Sequence, residues 1–440
     1  MKIAAQVYGE NRMTRFVERR KFLKTSAALG AGVWLGASRS ARAESPADKL
    51  NLAVIGIGGQ GRVNLNAVAS QNIVALCDVD DQRAGDAFEK FPKAKKYVDF
   101  RKLLDEQESK IDGVVISTPD HTHFHAAYAA LQRGKHIYLE KPLAHSVWEV
   151  RELTRLAAEK KVATQLGVQR HTLKPLRRAV ELIRSGAIGT VKECHAWMSG
   201  DRGMPPVPKS FPPVPSHLNW DLWLGPAAER PYSPEYAPYK WRFWWDFGTG
   251  ETGNFGCHIL DIPFWALELK YPTKVDASGP EPDPQRTPKS MTTRFKFPAQ
   301  GKRAAVALHW YHGTPPILKQ LGLKGDKMNN LFIGSEGMLL CGFNTYRLLP
   351  EEKFKDYQEP ESFLYQSPGF HKEWFAACRG EGPASCDFTY SGPLTETVLL
   401  GNVAYRAGGG FDWDAADLEA TGNAQAEQYL RPSFRKGWEI

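Results

Sequence analysis

A chain of 440 residues, 42% hydrophobic and 11% aromatic, is long enough for two or three domains and can bury a large core, which excludes a disordered protein. Its formal charge of +8 is unevenly spread: residues 1–43 hold nine Lys/Arg and two Asp/Glu, and the remainder holds 48 against 47. A basic excess confined to one terminal segment excludes nucleic acid as the partner of the rest.

That segment has a definite order. Arg19-Arg20-Lys21-Phe22-Leu23-Lys24 precedes a Gly/Ala-rich, mildly apolar run over 27–37, and Ala41-Arg42-Ala43 offers a small-residue cleavage site. It resembles a twin-arginine export signal, which predicts a signal peptide at 1–43 and a periplasmic or extracellular mature protein. No later stretch approaches the roughly 18 apolar residues a spanning helix needs, so no membrane association is expected after signal removal. Six cysteines without a C-x-x-C pair give neither a zinc site nor a disulfide framework, and no metal is expected.

Beyond residue 48 apolar β-branched runs alternate with helical patterns. Strands are expected at 51–56, 73–78, 111–117 and 136–139, with helices near 62–70, from 81, over 123–131 and over 146–160. Continuous apolar runs between helices predict a parallel sheet covered on both faces, and right-handed crossovers make it doubly wound. The fold class is therefore α/β with an N-terminal Rossmann domain at 49–168. From 169 to 440 the pattern changes. A helix at 176–184, a run at 191–197, and two runs at 291–297 and 304–310 flanking Pro298-Ala-Gln-Gly predict an α+β domain with a large, mainly antiparallel sheet. Between them, residues 199–247 are rich in Pro and carry Trp220, Trp223, Trp241, Trp244 and Trp245. These fit either a strap across the junction or a cleft wall on which sugar C–H faces stack.

Two sets of residues carry chemistry. Gly56-Ile57-Gly58-Gly59-Gln60-Gly61 follows a strand and opens a helix, and Asp78 ends the next strand. The glycines allow a tight turn and close approach of a pyrophosphate to a helix N-terminus, while the carboxylate suits adenosine ribose hydroxyls and repels a 2′-phosphate. The cofactor expected is NAD rather than NADP. Ser117-Thr118-Pro119-Asp120-His121-Thr122-His123 and Glu140-Lys141-Pro142 end neighbouring strands, at the crevice where a doubly wound sheet binds ligands.

With AVIGIGGQG, STPDHTH, LEKP, GVQRH, SGAIG and GNFGCHILD, the chain resembles the glucose-fructose oxidoreductase/inositol dehydrogenase (Gfo/Idh/MocA) family over nearly all of its mature length. The resemblance implies a cofactor site at Gly56, Gly58, Gly59, Gln60, Gly61, Asp78, Ser117, Thr118, Pro119, His123, Glu140, Lys141 and Gln169. It places Lys141 beside the nicotinamide, with Pro142 in a cis bond that aims the lysine. Asn254 to Asp261 matches the family pattern D-x-G-x-H-x-x-D, so His258 inherits the acid/base role, for which an ordinary imidazole pKa of about 6.5 is suited. Asn254 stands where the family has aspartate, and an amide cannot take up the proton. Arg170, His171, Trp241, Arg242, Asn254 and His258 are the candidate substrate contacts. The substrate implied is a small carbohydrate, and the large sheet implies a homo-oligomer, dimer or tetramer. Three readings stay open: an NAD-dependent oxidoreductase of a sugar, polyol or glycoside, a redox-neutral NAD-dependent glycoside hydrolase, and a sugar-binding protein without catalysis.

Overall fold

The computed structural model describes residues 48–440, and residues 49–440 form one compact unit built on two sheets. The predicted export signal lies outside the described residues. In chain order the first sheet is β1 (Asn51–Ile55), α1 (Gln60–Val68), β2 (Asn72–Cys77), α2 (Asp81–Lys90), β3 (Lys95–Tyr97), α3 (Phe100–Gln107), β4 (Gly113–Ile116), α4 (Asp120–Gln132), β5 (His136–Leu139), α5 (Val147–Lys160) and β6 (Thr164–Leu166). Its strands are all parallel in the order β3-β2-β1-β4-β5-β6. The order reverses between β1 and β4, so a crevice opens outside their C-terminal ends. Four residues of β4 and three of β5 are buried, as strands covered on both faces require. The helices start where their caps dictate. Asp80 accepts from the amides of Gln82 and Arg83, and Ser146 with Glu149 forms a capping box on α5.

The chain continues through α6 (Lys174–Arg184), β7 (Val191–Met198), α7 (Trp220–Leu224), α8 (Gly250–Leu267), β8 (Lys274–Ser278), β9 (Met291–Phe297), β10 (Val306–His312), α9 (Pro316–Gln320), β11 (Asn330–Gly334), β12 (Met338–Cys341), β13 (Tyr346–Leu349), α10 (Phe370–Cys378), α11 (Phe388–Arg406), β14 (Phe411–Asp414) and β15 (Glu419–Thr421). Nine strands make the second sheet, in which only the β7–β10 pair is parallel. The predicted hairpin is β9–β10, in register from Phe297 opposite Val306 to Met291 opposite His312. Strand β10 begins two residues later than the sequence suggests, because Gln300 and Arg303 first close the turn across Gly301.

Helices α8 and α11 cover the inner face of this sheet, and α11 also packs on α5. Both are buried nearly all round, as helices held between layers must be. Gly256 brings α8 against Val398 of α11. This sandwich carries the N-terminal half of α8 to the C-terminal ends of β4 and β5. Segment 199–247 builds its own small core from Leu218, Trp220, Trp223, Tyr236, Trp241, Trp244 and Phe247. Most of its tryptophans are therefore packing residues of a strap. Among the described residues, no helix is long and apolar enough to cross a membrane. All six cysteines are free, five of them buried.

Candidate active site

A cavity of about 430 Å³ runs along the C-terminal edge of the parallel sheet. Its walls include Gly56, Gly58, Gly59, Gln60, Asp78, Ser117, Thr118, Pro119, Glu140, Lys141, Gln169, Trp241, Arg242, Asn254 and His258. Residues spread over some 200 positions of sequence thus converge, because β1, β2, β4 and β5 end on one edge and α8 is laid across it.

The glycine loop is shaped for a bulky anionic group. Gly56 has φ +79, and a Cβ there would come 2.8 Å from the Ser117 carbonyl. A Cβ on Gly61 would lie 2.0 Å from the Gly56 carbonyl oxygen, so this glycine lets α1 pack on the turn and does not line the cavity. Asp78 holds the turn from beneath: its Oδ2 accepts from the amides of Ile57 at 2.7 Å and Gly58 at 3.2 Å, and Oδ1 accepts from Asp80 at 3.0 Å. Burial raises the Asp78 pKa, and these three amide bonds oppose the rise. The Arg83 side chain lies over the turn, where its Nε would stand 2.7 Å from a Cβ at position 58. A side-chain-free turn at a helix start, a guanidinium above it and a carboxylate at the next strand end fit an NAD pyrophosphate and ribose.

The opposite end holds the polar chemistry. Glu140 is buried and accepts from Asn64 Nδ2 at 2.9 Å and from Gln169 Nε2 at 2.7 Å. The Lys141–Pro142 bond is cis. Lys141 Nζ donates to Asn254 Oδ1 at 2.8 Å, and Asn254 Nδ2 donates to Glu251 Oε2 at 3.3 Å. His258 lies one helical turn beyond Asn254, and its Nδ1 is buried without a hydrogen-bond partner. Burial, and then the charges of Lys141 and Arg170, push the His258 pKa well below the ordinary imidazole value. The ring is neutral at neutral pH, further from protonation than its ordinary pKa implies.

Besides Gly61, three candidates do not line the cavity. His123 is buried behind it, with Nδ1 2.7 Å from the Pro142 carbonyl and Nε2 2.8 Å from the Thr118 carbonyl, and so ties the two loops together. The Arg170 guanidinium stacks on Phe343 at 3.8 Å. His171 is buried against Asp261, 2.9 Å away, and stacks on Trp265. Arg242 does line the cavity, stacked on Trp241 at 4.2 Å and made less basic by burial. Among the described residues, two clusters of possible metal-ligating groups occur elsewhere, His171/Asp261/Cys386 and Glu193/His195/His309, neither of them expected from the sequence. Sequence reasoning passed over Arg83, Tyr239 and Glu251, quoted Asp120 in its motif without a role, and named Trp223 only among the tryptophans of a strap or cleft wall. Glu251 had one available signal, its position three residues before Asn254, the spacing that would set the two side chains on one face of a helix.

The oxidoreductase-family profile for the NAD-binding Rossmann fold matches residues 50–168, and that for the family's C-terminal alpha/beta domain matches 195–440. Inositol 2-dehydrogenase of Salmonella paratyphi B is 31% identical over 154 residues, which cover 33% of this chain and 45% of that protein. Levoglucosan dehydrogenase of Pseudarthrobacter phenanthrenivorans is 23% identical over 225 residues, 48% of this chain and 50% of that one. The chain thus matches about half the length of these curated relatives. In fold it is similar to the WlbA dehydrogenase from Bordetella pertussis, solved with NADH and UDP-GlcNAcA, at TM-score 0.59, 16% identity, and coverage of 83% and 99% of the two chains. Matched through both its halves, the chain belongs to the Gfo/Idh/MocA oxidoreductase family, and its crevice is an NAD site.

Proposed function

We propose that this protein is an exported NAD-dependent oxidoreductase of a sugar, polyol or glycoside, and that it keeps its nucleotide through many turnovers. The observation that carries the reading is the convergence of Lys141, Asn254 and His258 with the glycine loop and Asp78 on one cavity. The relatives named as inositol and levoglucosan dehydrogenases support the substrate class. When bound, NAD supplies a hydride acceptor and donor at its nicotinamide.

The chain's own residues do the rest. Neutral His258 takes the proton of a substrate hydroxyl: burial keeps its ring unprotonated and available at neutral pH, and the same burial makes it a weaker base than an ordinary imidazole. Lys141, held by Asn254, gives the same oxygen a hydrogen bond. Glu140, fixed by Asn64 and Gln169, shapes the floor beside the lysine. Trp241 and Trp223 on the strap present apolar lining against which a sugar ring can pack while water is kept out.

Export through the twin-arginine route would deliver the protein, folded and loaded, to a compartment without a dinucleotide pool. Retention over hours then calls for roughly nanomolar binding or tighter at ordinary association rates. It also favours net reactions that return the cofactor to its starting state, including sugar-sugar disproportionation and hydrolysis of a glycoside through transient oxidation. Identification of the nucleotide released on denaturation, followed by assays of free sugars and glycosides for both reduced nicotinamide and aglycone, tests the proposal. Stoichiometric NAD(H) with product from a carbohydrate is expected. A preparation that neither carries nor binds NAD would overturn it.

A further inference from the structure

Glu251 is a buried carboxylate, hydrogen-bonded to Asn254, that the reading above leaves unused. Its side chain is fully buried in the first turn of α8, where its two oxygens meet Arg202 NH2 at 2.7 and 2.8 Å. Arg202 belongs to the strap and also donates to Tyr239, another wall of the cavity, at 3.0 Å. A chain of contacts therefore runs from the strap to the reacting end: Arg202, Glu251, Asn254, Lys141. We propose that Glu251 is a positioning residue for Lys141 that acts through Asn254, and that Arg202 sets how strongly it does so.

Donor and acceptor types fix the orientation of Asn254. A primary amide presents a donor on one side and an acceptor on the other, and the two ends can exchange by a flip. A carboxylate only accepts, so the Asn254 atom facing Glu251 must be Nδ2, which leaves Oδ1 for Lys141. Lys141 must then give an N–H to Asn254, and its remaining positions turn into the cavity. With glutamine at 251 a second orientation of Asn254 becomes possible, with its NH2 toward the lysine, and only the unprotonated amine can accept from it. Charge acts in the same direction. The carboxylate is one hydrogen-bonded link from the lysine, and Arg202 offsets it. Removal of the carboxylate leaves the positive charge of Arg202 uncompensated on the Lys141 side, and removal of Arg202 leaves the carboxylate uncompensated. An Asp at 254 would stand beside Glu251 as a second carboxylate, so Asn254 suits a site whose negative charge is already placed one turn earlier.

This inference rests on the reading that Lys141 works at the reacting centre, yet its test needs no substrate. Purified protein, with whatever nucleotide it carries, is labelled with a trace of acetic anhydride at fixed pH, and acetylation of Lys141 is followed by mass spectrometry of its peptide. Only the unprotonated amine reacts. Glu251→Gln is expected to label roughly threefold to tenfold faster than wild type, and Arg202→Gln slower by a similar factor, from the sign of the charge removed at this distance. The double change Glu251→Gln with Asn254→Asp, which returns a carboxylate to the lysine, is expected to bring the rate back to the wild-type value or below. If the Arg202–Glu251 pair merely fastens the strap, both single variants loosen the same region and labelling moves the same way. That result, or no change in either variant, overturns the proposal. Should Glu251→Gln not fold, Arg202→Gln carries the sign alone: slower labelling supports the role, and faster or unchanged labelling contradicts it. A missing nucleotide would count against the oxidoreductase reading and leaves the labelling result interpretable.

Discussion

Asp120, the first residue of α4, accepts from both the backbone amide and the hydroxyl of Thr249, at 3.1 and 2.6 Å. The carboxylate thereby anchors the start of α8, the helix that carries Asn254 and His258, to the parallel sheet. Asp120→Ala is expected to destabilise the fold by about 1.5–3 kcal/mol, the cost of losing hydrogen bonds to a buried charged group. Turnover should fall with it, and bound nucleotide should be kept. Denaturant melts with nucleotide analysis of the same preparations check both effects.

Replacement of the two groups assigned to proton handling separates chemistry from binding. Lys141→Ala and His258→Ala should each reduce turnover by roughly 10² or more, the usual contribution of a positioned acid or base, with nucleotide content unchanged. Rates near wild type in both variants would remove these residues from the mechanism.

Burial holds His258 well below the ordinary imidazole pKa. A base must be unprotonated, so activity should persist as pH falls through about 6.5 and decline only at distinctly lower pH. His125, His309, His312 and His371 are likewise depressed by burial, each to about 4. Between about 4 and about 6.5 the unfolded chain binds protons that these folded-state rings refuse, so their contribution to stability rises with pH across that window and is lost as pH falls. Thermal melts over this range should show the decline on the acid side.

The last glycine of the loop, Gly61, offers a steric test of the cofactor site. A methyl group at position 61 meets the Gly56 carbonyl, a backbone atom that no side-chain rotation can relieve. Gly61→Ala should cost about 1–3 kcal/mol, as overpacking does, and should release nucleotide that wild type retains. Full occupancy in this variant would mean that the turn is not the pyrophosphate cradle.

Much of this arrangement could be read from sequence because it depends on local signals. Strand runs such as HIYL at 136–139, the glycine spacing at 56–61 and the carboxylate at 78 each fix their own neighbourhood. Side chains whose role depends on what packs behind them were less legible. His123 shares a motif with the cavity residues Thr118 and Pro119, but it sits on the inner face of α4 and bonds two loop carbonyls instead. Arg170 follows Gln169, which does line the cavity, yet its guanidinium finds Phe343. The depressed basicity of His258 could not be foreseen either, since it arises from burial between sheet and helix rather than from any neighbour in sequence.

The account stands most directly on one measurement: the number of turnovers per bound nucleotide in extensively dialysed protein with no NAD added. Carbohydrate product is predicted to exceed enzyme-bound nucleotide many-fold, with the nucleotide still on the protein at the end. Product limited to one equivalent, or formed only in proportion to free NAD supplied, would contradict a retained, self-restoring cofactor.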